Sequence, residues 1–228
     1  MNEWKTDEEL RTLIDRELFS CVIGDVLDQM GFRHQFLPPA VRPLFPDMKV
    51  IGRAMTVLES DCASTRIASE DRESAFGVMF EALDSLQPGE LYVCTGASAT
   101  YACWGELMST RARHCGAVGA VIEGHSRDTH GIRKLNFPTF SFGPYGQDQG
   151  VRGRVIDFRC PIEFSNGVLV QPGDILVGDI DGVVAIPRAV EAVVIQAALK
   201  KVRDENMVAI KIREGMPTRE VWDTYGVM

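Results

Sequence analysis

Apolar positions near the start of the chain recur at helical spacing: Leu10, Leu13, Ile14 and Leu18, then Val22, Ile23, Val26, Leu27 and Met30. A period near 3.6 predicts helical structure over 6–31, with Gly31 as its C-terminal stop. Pro38, Pro39, Pro43 and Pro46 make 32–48 an extended connector. Val50 to Leu58 reads as a strand, and Ala75, Met79, Ala82, Leu83 and Leu86 predict an amphipathic helix over 70–86, closed by Pro88-Gly89.

The centre alternates between the two periods. Residues 90–95 (Glu-Leu-Tyr-Val-Cys-Thr) read as a buried strand, and 104–115 as a helix with Trp104, Leu107, Met108 and Ala112 on one face. Strands follow at 117–122 and 137–142. Strand–helix–strand with short connections implies a parallel, right-handed crossover. Residues 151–187 change character: turns at Asn166-Gly167, Pro172-Gly173-Asp174 and Asp181-Gly182 predict an antiparallel meander. A last amphipathic helix runs from about 188 to 213. The pattern is that of an α/β protein: a mixed sheet with a parallel βαβ centre, antiparallel C-terminal strands and helical termini.

The 228 residues show no internal repeat or low-complexity linker, so 1–228 is read as one domain. Lys+Arg number 24 against 32 Asp+Glu, a formal charge of −8. That balance argues against a nucleic-acid partner, which needs a basic face, but leaves room for a small acidic substrate held by one or two cations. No run approaches the roughly 18 apolar residues of a spanning helix, so no membrane role is expected. The acidic start lacks a signal-like apolar core, which points to the cytoplasm. Six cysteines (Cys21, Cys62, Cys94, Cys103, Cys115, Cys160) form no C-x-x-C pair and read as reduced core residues. His125 and His130 lie five apart in an expected loop, where solvation or hydrogen bonding is the simpler role than metal ligation. Nucleophile-elbow, P-loop, dinucleotide and H-E-x-x-H motifs are all missing from the chain.

Candidate chemistry concentrates at Gly105-Glu106-Leu107-Met108 and Arg127-Asp128. Parallel topology places the ends of strands 91–95 and 117–122 on one sheet edge, where ligands of open α/β sheets bind. There the free first-turn amides of a helix suit a carboxylate or phosphate. Arg127 adds a bidentate clamp for the same anion. Asp128 and Glu106 offer hard oxygen ligands to a magnesium-like ion. Taken singly these features are ordinary: Arg-Asp is a common loop dipeptide, and Glu in a first helical turn complements the dipole.

An acidic residue, twenty intervening residues and Arg-Asp form a distinctive spacing, met by Glu106 and Arg127-Asp128. Its flanks are Gly105-Glu106-Leu107 and Gly119-Ala120-Val121-Ile122-Glu123-Gly124. Val170-Gln171-Pro172-Gly173-Asp174, Gly178 to Val184, Gly24 to Asp28 and Gly52 to Val57 extend the pattern. Over about 20–213 the chain resembles the RraA-like family, which includes the class II 4-hydroxy-4-methyl-2-oxoglutarate/4-carboxy-4-hydroxy-2-oxoadipate aldolases. The resemblance implies a swivelling β/β/α-type domain assembled as a homotrimer or hexamer. It implies that the amides of Gly105, Glu106, Leu107 and Met108 bind a pyruvyl carboxylate, that Arg127 grips the substrate, and that Asp128 ligates a divalent cation, Mg2+ or Mn2+. Asp25 and Glu205 match further carboxylates near the metal in some members, supplied by a neighbouring subunit in one version. Glu106 departs from the pattern, since the well-studied aldolases carry Asp there. The family also contains a regulator that inhibits a ribonuclease, so membership alone does not make an enzyme.

The expected reaction is cleavage of a 4-hydroxy-2-oxo acid to pyruvate and a carbonyl product, with oxaloacetate decarboxylation as a side activity. Breaking C3–C4 leaves electrons on a pyruvate enolate, which a Lewis-acidic cation stabilises without a Schiff-base lysine. A water held by Glu106 is the first choice of base for the C4 hydroxyl, with Asp25 or Glu205 as substitutes. Phe32, Phe36, Leu37, Val193, Val194 and Ile195 are the apolar positions expected to lie between subunits.

Overall fold

A computed structural model describes residues 3–62 and 76–226. The N-terminal helical stretch is two helices, α1 (Asp7–Glu17) and α2 (Ser20–Gln29). Thr6 begins the first with a reciprocal capping box to Glu9. They are followed by β1 (Arg42–Pro43), the twelve-residue β2 (Val50–Asp61), α3 (Met79–Asp84), β3 (Glu90–Thr95), β4 (Ala102–Trp104) and α4 (Glu106–His114). Next come β5 (Gly119–Ile122), β6 (His125–Ser126), α5 (Thr129–Leu135), β7 (Thr139–Ser141), β8 (Gly153–Phe158), β9 (Ile162–Glu163) and β10 (Leu169–Val170). β11 (Ile175–Asp179), β12 (Gly182–Ile186), α6 (Glu191–Arg213) and α7 (Thr218–Tyr225) complete the chain. Residues 70–75 of the expected helix 70–86 lie outside the described residues; within 76–86 the helix is the shorter α3.

The main sheet runs β1-β7-β5-β3-β2-β11-β12, with β8 also on β2. β2, β3, β5 and β7 are parallel, as the alternating centre predicts. The C-terminal strands are antiparallel but do not form one simple meander. β9 pairs β10 and β11 pairs β12, whereas β8 and β11 both return to β2, at opposite ends of that long strand. The register with β8 shifts between Leu58 and Glu59, where the pairing of β2 with β3 ends.

Alternation along β11 and β12 divides the interior into two layers. Ile175, Val177, Val184 and Ile186 face α1, α2 and α6, while Leu176, Val183 and Ala185 face the core shared by α3, α4 and α5. Two sequence expectations fail here. Trp104 ends β4 rather than opening a helix, and Leu107 is 83% exposed, because α4 packs inward through the small Ser109 and Ala112. Leu37, Val194 and Ile195 are buried within the chain, so of the expected subunit-contact residues only Phe36 and Val193 stay exposed, with Phe32 half-buried. All six cysteines are free; Cys94 and Cys103 are buried, but Cys21 is exposed rather than part of the core.

Candidate active site

The loop after β5 is tied to the start of α4 by a feature invisible in the periodicity. β4 and β6 form a two-stranded parallel ribbon, Trp104 opposite Ser126. The Arg127 N–H donates to the Trp104 carbonyl at 2.9 Å, and the Ser126 N–H to the Gly143 carbonyl at 3.1 Å. Arg127 and Asp128 are therefore held against Gly105, the residue that caps α4. A Cβ on Gly105 would lie 2.9 Å from Asp128 Oδ2 and 3.4 Å from Arg127 Cγ. The glycine is required by this close approach, since its own φ of −158° is ordinary extended backbone. Asp128 adopts φ 57°, the left-handed region that Asp tolerates better than most side chains.

In α4 the first intrahelical bond among the described contacts is from Ser109 N–H to the Gly105 carbonyl, 3.0 Å. The N–H groups of Glu106, Leu107 and Met108 precede it and have no carbonyl within the helix, as at any helix start. They combine with the positive end of the helix dipole beside Arg127. A cavity of about 480 Å³ opens here between α3 and α4. Gly105, Arg127, Asp128, Asp148 and Gln149 form its polar wall, and Phe76, Met79, Phe80, Leu83, Leu107 and Met108 its apolar one. A second hollow of about 410 Å³ lies across Arg127 and Asp128, against Pro144 and Tyr145.

Arg127 Nη1 donates to Asp148 Oδ1 at 2.7 Å, and Nε lies 3.4 Å from Asp128 Oδ2. The guanidinium thus bridges two half-exposed carboxylates at the cavity mouth. Asp148 carries no sequence signal: it reaches Arg127 from a loop 21 residues downstream. Gln149 Nε2 donates at 2.6 Å to Oε1 of Glu59, which is 2% exposed and also lies 3.4 Å from the Tyr101 hydroxyl. Burial, reinforced by the nearby Asp61 charge, pushes the Glu59 carboxyl up to about 8. Sequence reasoning passed over Glu59 because a single Glu inside an apolar strand has no motif.

The remaining predicted residues fall in two places. Glu106 stays near the site, but its carboxylate rests on Gly131 of α5 rather than in the wall of the larger cavity. Asp25 and Glu205 are brought together with each other instead. Lys201 Nζ lies 3.3 Å from Asp25 Oδ2 and 2.7 Å from Glu205 Oε1, within the α2–α6 layer. His125 and His130 do not share the expected loop: His125 is in β6, its Nδ1 3.2 Å from the Gly143 carbonyl and its ring against Phe142 and Tyr145, while His130 is exposed on α5.

Among the described residues no group of three or more His, Cys, Asp or Glu converges to enclose a metal ion. A magnesium ion keeps most of its waters and is commonly bound by one or two carboxylates plus substrate oxygens. Asp128, with 42% of its side chain exposed beside the free amides of α4, fits that minimal donor set.

Residues 20–185 match the family described as RraA-like, Aldolase/RraA. The chain belongs to the RraA-like family. It is 31% identical over 194 residues to a protein of Halalkalibacterium halodurans named "Putative 4-hydroxy-4-methyl-2-oxoglutarate aldolase", covering 83% of this chain and 82% of that relative. Among solved structures, Streptomyces coelicolor RraAS2 superposes with a TM-score of 0.75 at 25% identity, covering 93% of this chain and 100% of that one. It is described as an unusual member of the RNase ES inhibitor RraA protein family. A Pseudomonas syringae pv. tomato protein of no stated function superposes with a TM-score of 0.82 at 22% identity, over 99% and 98% of the two chains. This RraA-like chain therefore has the mixed α/β fold of its neighbours, as the sequence pattern implied. No helix of the described residues is long and apolar enough to cross a membrane.

Proposed function

We propose that this RraA-like protein is a carbon–carbon lyase that cleaves a 4-hydroxy-2-oxo acid to pyruvate and a carbonyl product, with oxaloacetate decarboxylation as a side activity. The observation that carries the reading is the packing of Arg127 and Asp128 against Gly105, at the opening of α4 and in the wall of a cavity of about 480 Å³. The amides of 106–108 and Arg127 bind the substrate carboxylate. Arg127 is available for this because its pairing with Asp148 leaves further guanidinium donors free. Asp128 anchors a divalent cation, Mg2+ or Mn2+, which when bound supplies a Lewis acid for the 2-oxo and carboxylate oxygens. Glu106 orients the water that takes the C4 hydroxyl proton, a step decarboxylation does not need. Asp25 and Glu205 enter the site only from a second copy, in a cytoplasmic homotrimer or hexamer.

The test is pyruvate release from a panel of 4-hydroxy-2-oxo acids and oxaloacetate, with Mg2+ or Mn2+ and then with chelator. Chelator-sensitive pyruvate is the expected result. No pyruvate above the uncatalysed background would favour the second reading, a non-catalytic regulator that binds another protein such as a ribonuclease. The description of RraAS2 supports that alternative.

A further inference from the structure

A second cavity, of about 550 Å³, lies at the other end of the parallel strands. Its floor is the edge where β2 and β3 begin and β11 joins them, marked by Gly52, Arg53, Gly89 and Gly173. It shares no lining residue with the Arg127–Asp128 cavity. The length of β3, about 20 Å at 3.3 Å per residue, separates the two ends. Four guanidiniums line it: Arg11, Arg53, Arg159 and Arg188.

Two of the four are fully engaged. Arg53 donates to Asp7 (2.6 Å twice), to Glu191 (2.9 and 3.2 Å) and to the Gly173 carbonyl (3.0 Å). Arg159 donates to Glu90 (2.7 and 2.9 Å) and to the Ser85 carbonyl (2.6 Å). These pairs neutralise the floor and fix α1 and α6 to the sheet edge. They also consume two of the carboxylates lining the cavity, Asp7 and Glu90.

Arg11 and Arg188 make no such direct pairs, although both feel the charge of Asp7 and Arg188 that of Asp174. Neither side chain has an ion pair or hydrogen bond among the described residues, and Arg11 Nε is buried without an acceptor. Arg11 lies over Gly89 on the β3 side, where a Cβ would be 3.5 Å from its Cζ. Arg188 lies over Gly173 on the β11 side, where a Cβ would be 3.2 Å from its Nη1. Since β2 runs between β3 and β11, the two guanidiniums stand on either side of the neutralised floor. Glu8 is the one lining carboxylate without a described ion-pair partner, and it is exposed. A guanidinium stays charged at any working pH and presents paired donors matched to carboxylate or phosphate oxygens.

We propose that this cavity binds a small oxyanionic metabolite, carried by Arg11 and Arg188, at a site separate from the candidate active site. In a chain of net charge −8, long-range attraction for such a ligand is absent, so recognition rests on these two side chains.

The test is titration calorimetry of the intact protein with malonate and, separately, inorganic phosphate, at an ionic strength held constant with chloride. The two arms distinguish a carboxylate from a phosphate ligand. The expected result is saturable binding of at least one anion, weakened about tenfold or more by Arg11→Gln and by Arg188→Gln. Glu8→Gln tightens it, and Arg127→Ala leaves it in place. Arg188 and Glu8 are exposed, so those two variants decide the matter if Arg11→Gln fails to fold. No saturable binding of either anion overturns the proposal. So does binding that Arg127→Ala abolishes and Arg188→Gln leaves intact, which would place the anion at the other site. Neither result depends on whether the protein releases pyruvate.

Discussion

Glu59 offers a direct test of the electrostatics behind the candidate site. The perturbation is Glu59→Gln, which keeps a carbonyl acceptor for Gln149 and Tyr101 but removes the titration. In the unfolded chain a Glu ionises near 4.5, whereas in the fold burial holds Glu59 protonated up to about 8. The folded state then keeps a proton that the unfolded state has lost, so stability is greatest below about 4.5 and falls as pH rises toward 8. Each unit of displacement is worth about 1.4 kcal/mol, which sets a limit of about 5 kcal/mol for the whole window if the fold does not relax. Urea unfolding of both proteins at pH 5, 6.5 and 8 reads the effect, with equal m-values as the control for a common unfolded state. The wild type is expected to lose several kcal/mol relative to Glu59→Gln between pH 5 and 8, so the variant becomes the more stable protein at the alkaline end. Parallel pH profiles would refute the reasoning and mean that Glu59 is ionised in the fold.

Four further outcomes follow from the site geometry. Gly105→Ala should fold normally, because its backbone is extended, yet lose activity, because the new Cβ meets Asp128 Oδ2 at 2.9 Å; thermal melts and pyruvate release check both halves. Arg127→Ala should raise KM about ten- to hundredfold, as for a charged hydrogen bond of roughly 1.5–3 kcal/mol, whereas Asp128→Ala should fall to background with little rescue by added Mg2+. Gly131→Ala should stabilise α5 by up to about 1 kcal/mol while displacing the Glu106 carboxylate, so aldol cleavage drops more than oxaloacetate decarboxylation; an equal loss of both would remove Glu106 as base. Mixing inactive Asp128→Ala with inactive Glu205→Gln should restore about a quarter of wild-type activity if random exchange joins intact residues of neighbouring copies, and none if each site is built from one chain.

What the sequence revealed and what it hid divide along range. The parallel centre was legible because Leu91 to Cys94 and Gly119 to Ile122 are apolar runs of strand length separated by helical spacing. That topology was enough to place Arg127-Asp128 beside the start of α4. Leu107 was misread because helical periodicity identifies an apolar stripe but not which neighbour approaches it. α4 comes close to the sheet through Ser109 and Ala112, and so turns Leu107 outward. α7 was missed because only Val221 of its eight residues is buried, too little for a period to show. Asp148, Gln149 and Glu59 converge from a loop and from the point where β2 changes partner, and no local pattern encodes that meeting.

The division into two layers bears on how the carboxylates of the proposed site are shared. Arg127 and Asp128 belong to the layer of α4 and α5, while Asp25 and Glu205 belong to that of α2 and α6, across the sheet. Their partner Lys201 is raised above its ordinary range, first by its hydrogen bond to Glu205 and then by the charge of both carboxylates, so it remains a cation throughout the neutral range. Within one chain this triad, one cation between two carboxylates, is a surface cluster tying α2 to α6, and solvent screens its residual charge from the far layer. A role for Glu205 beside Asp128 therefore requires a second copy to present its α2–α6 face to the α4 opening. In that arrangement the exposed Leu107 and Phe80 at the cavity rim would be covered by the neighbour rather than by substrate alone. If the proposed site is divided between chains in this way, the Leu107 side chain that α4 turns outward and the Glu205 carboxylate that lies far from Asp128 would meet at the same subunit boundary.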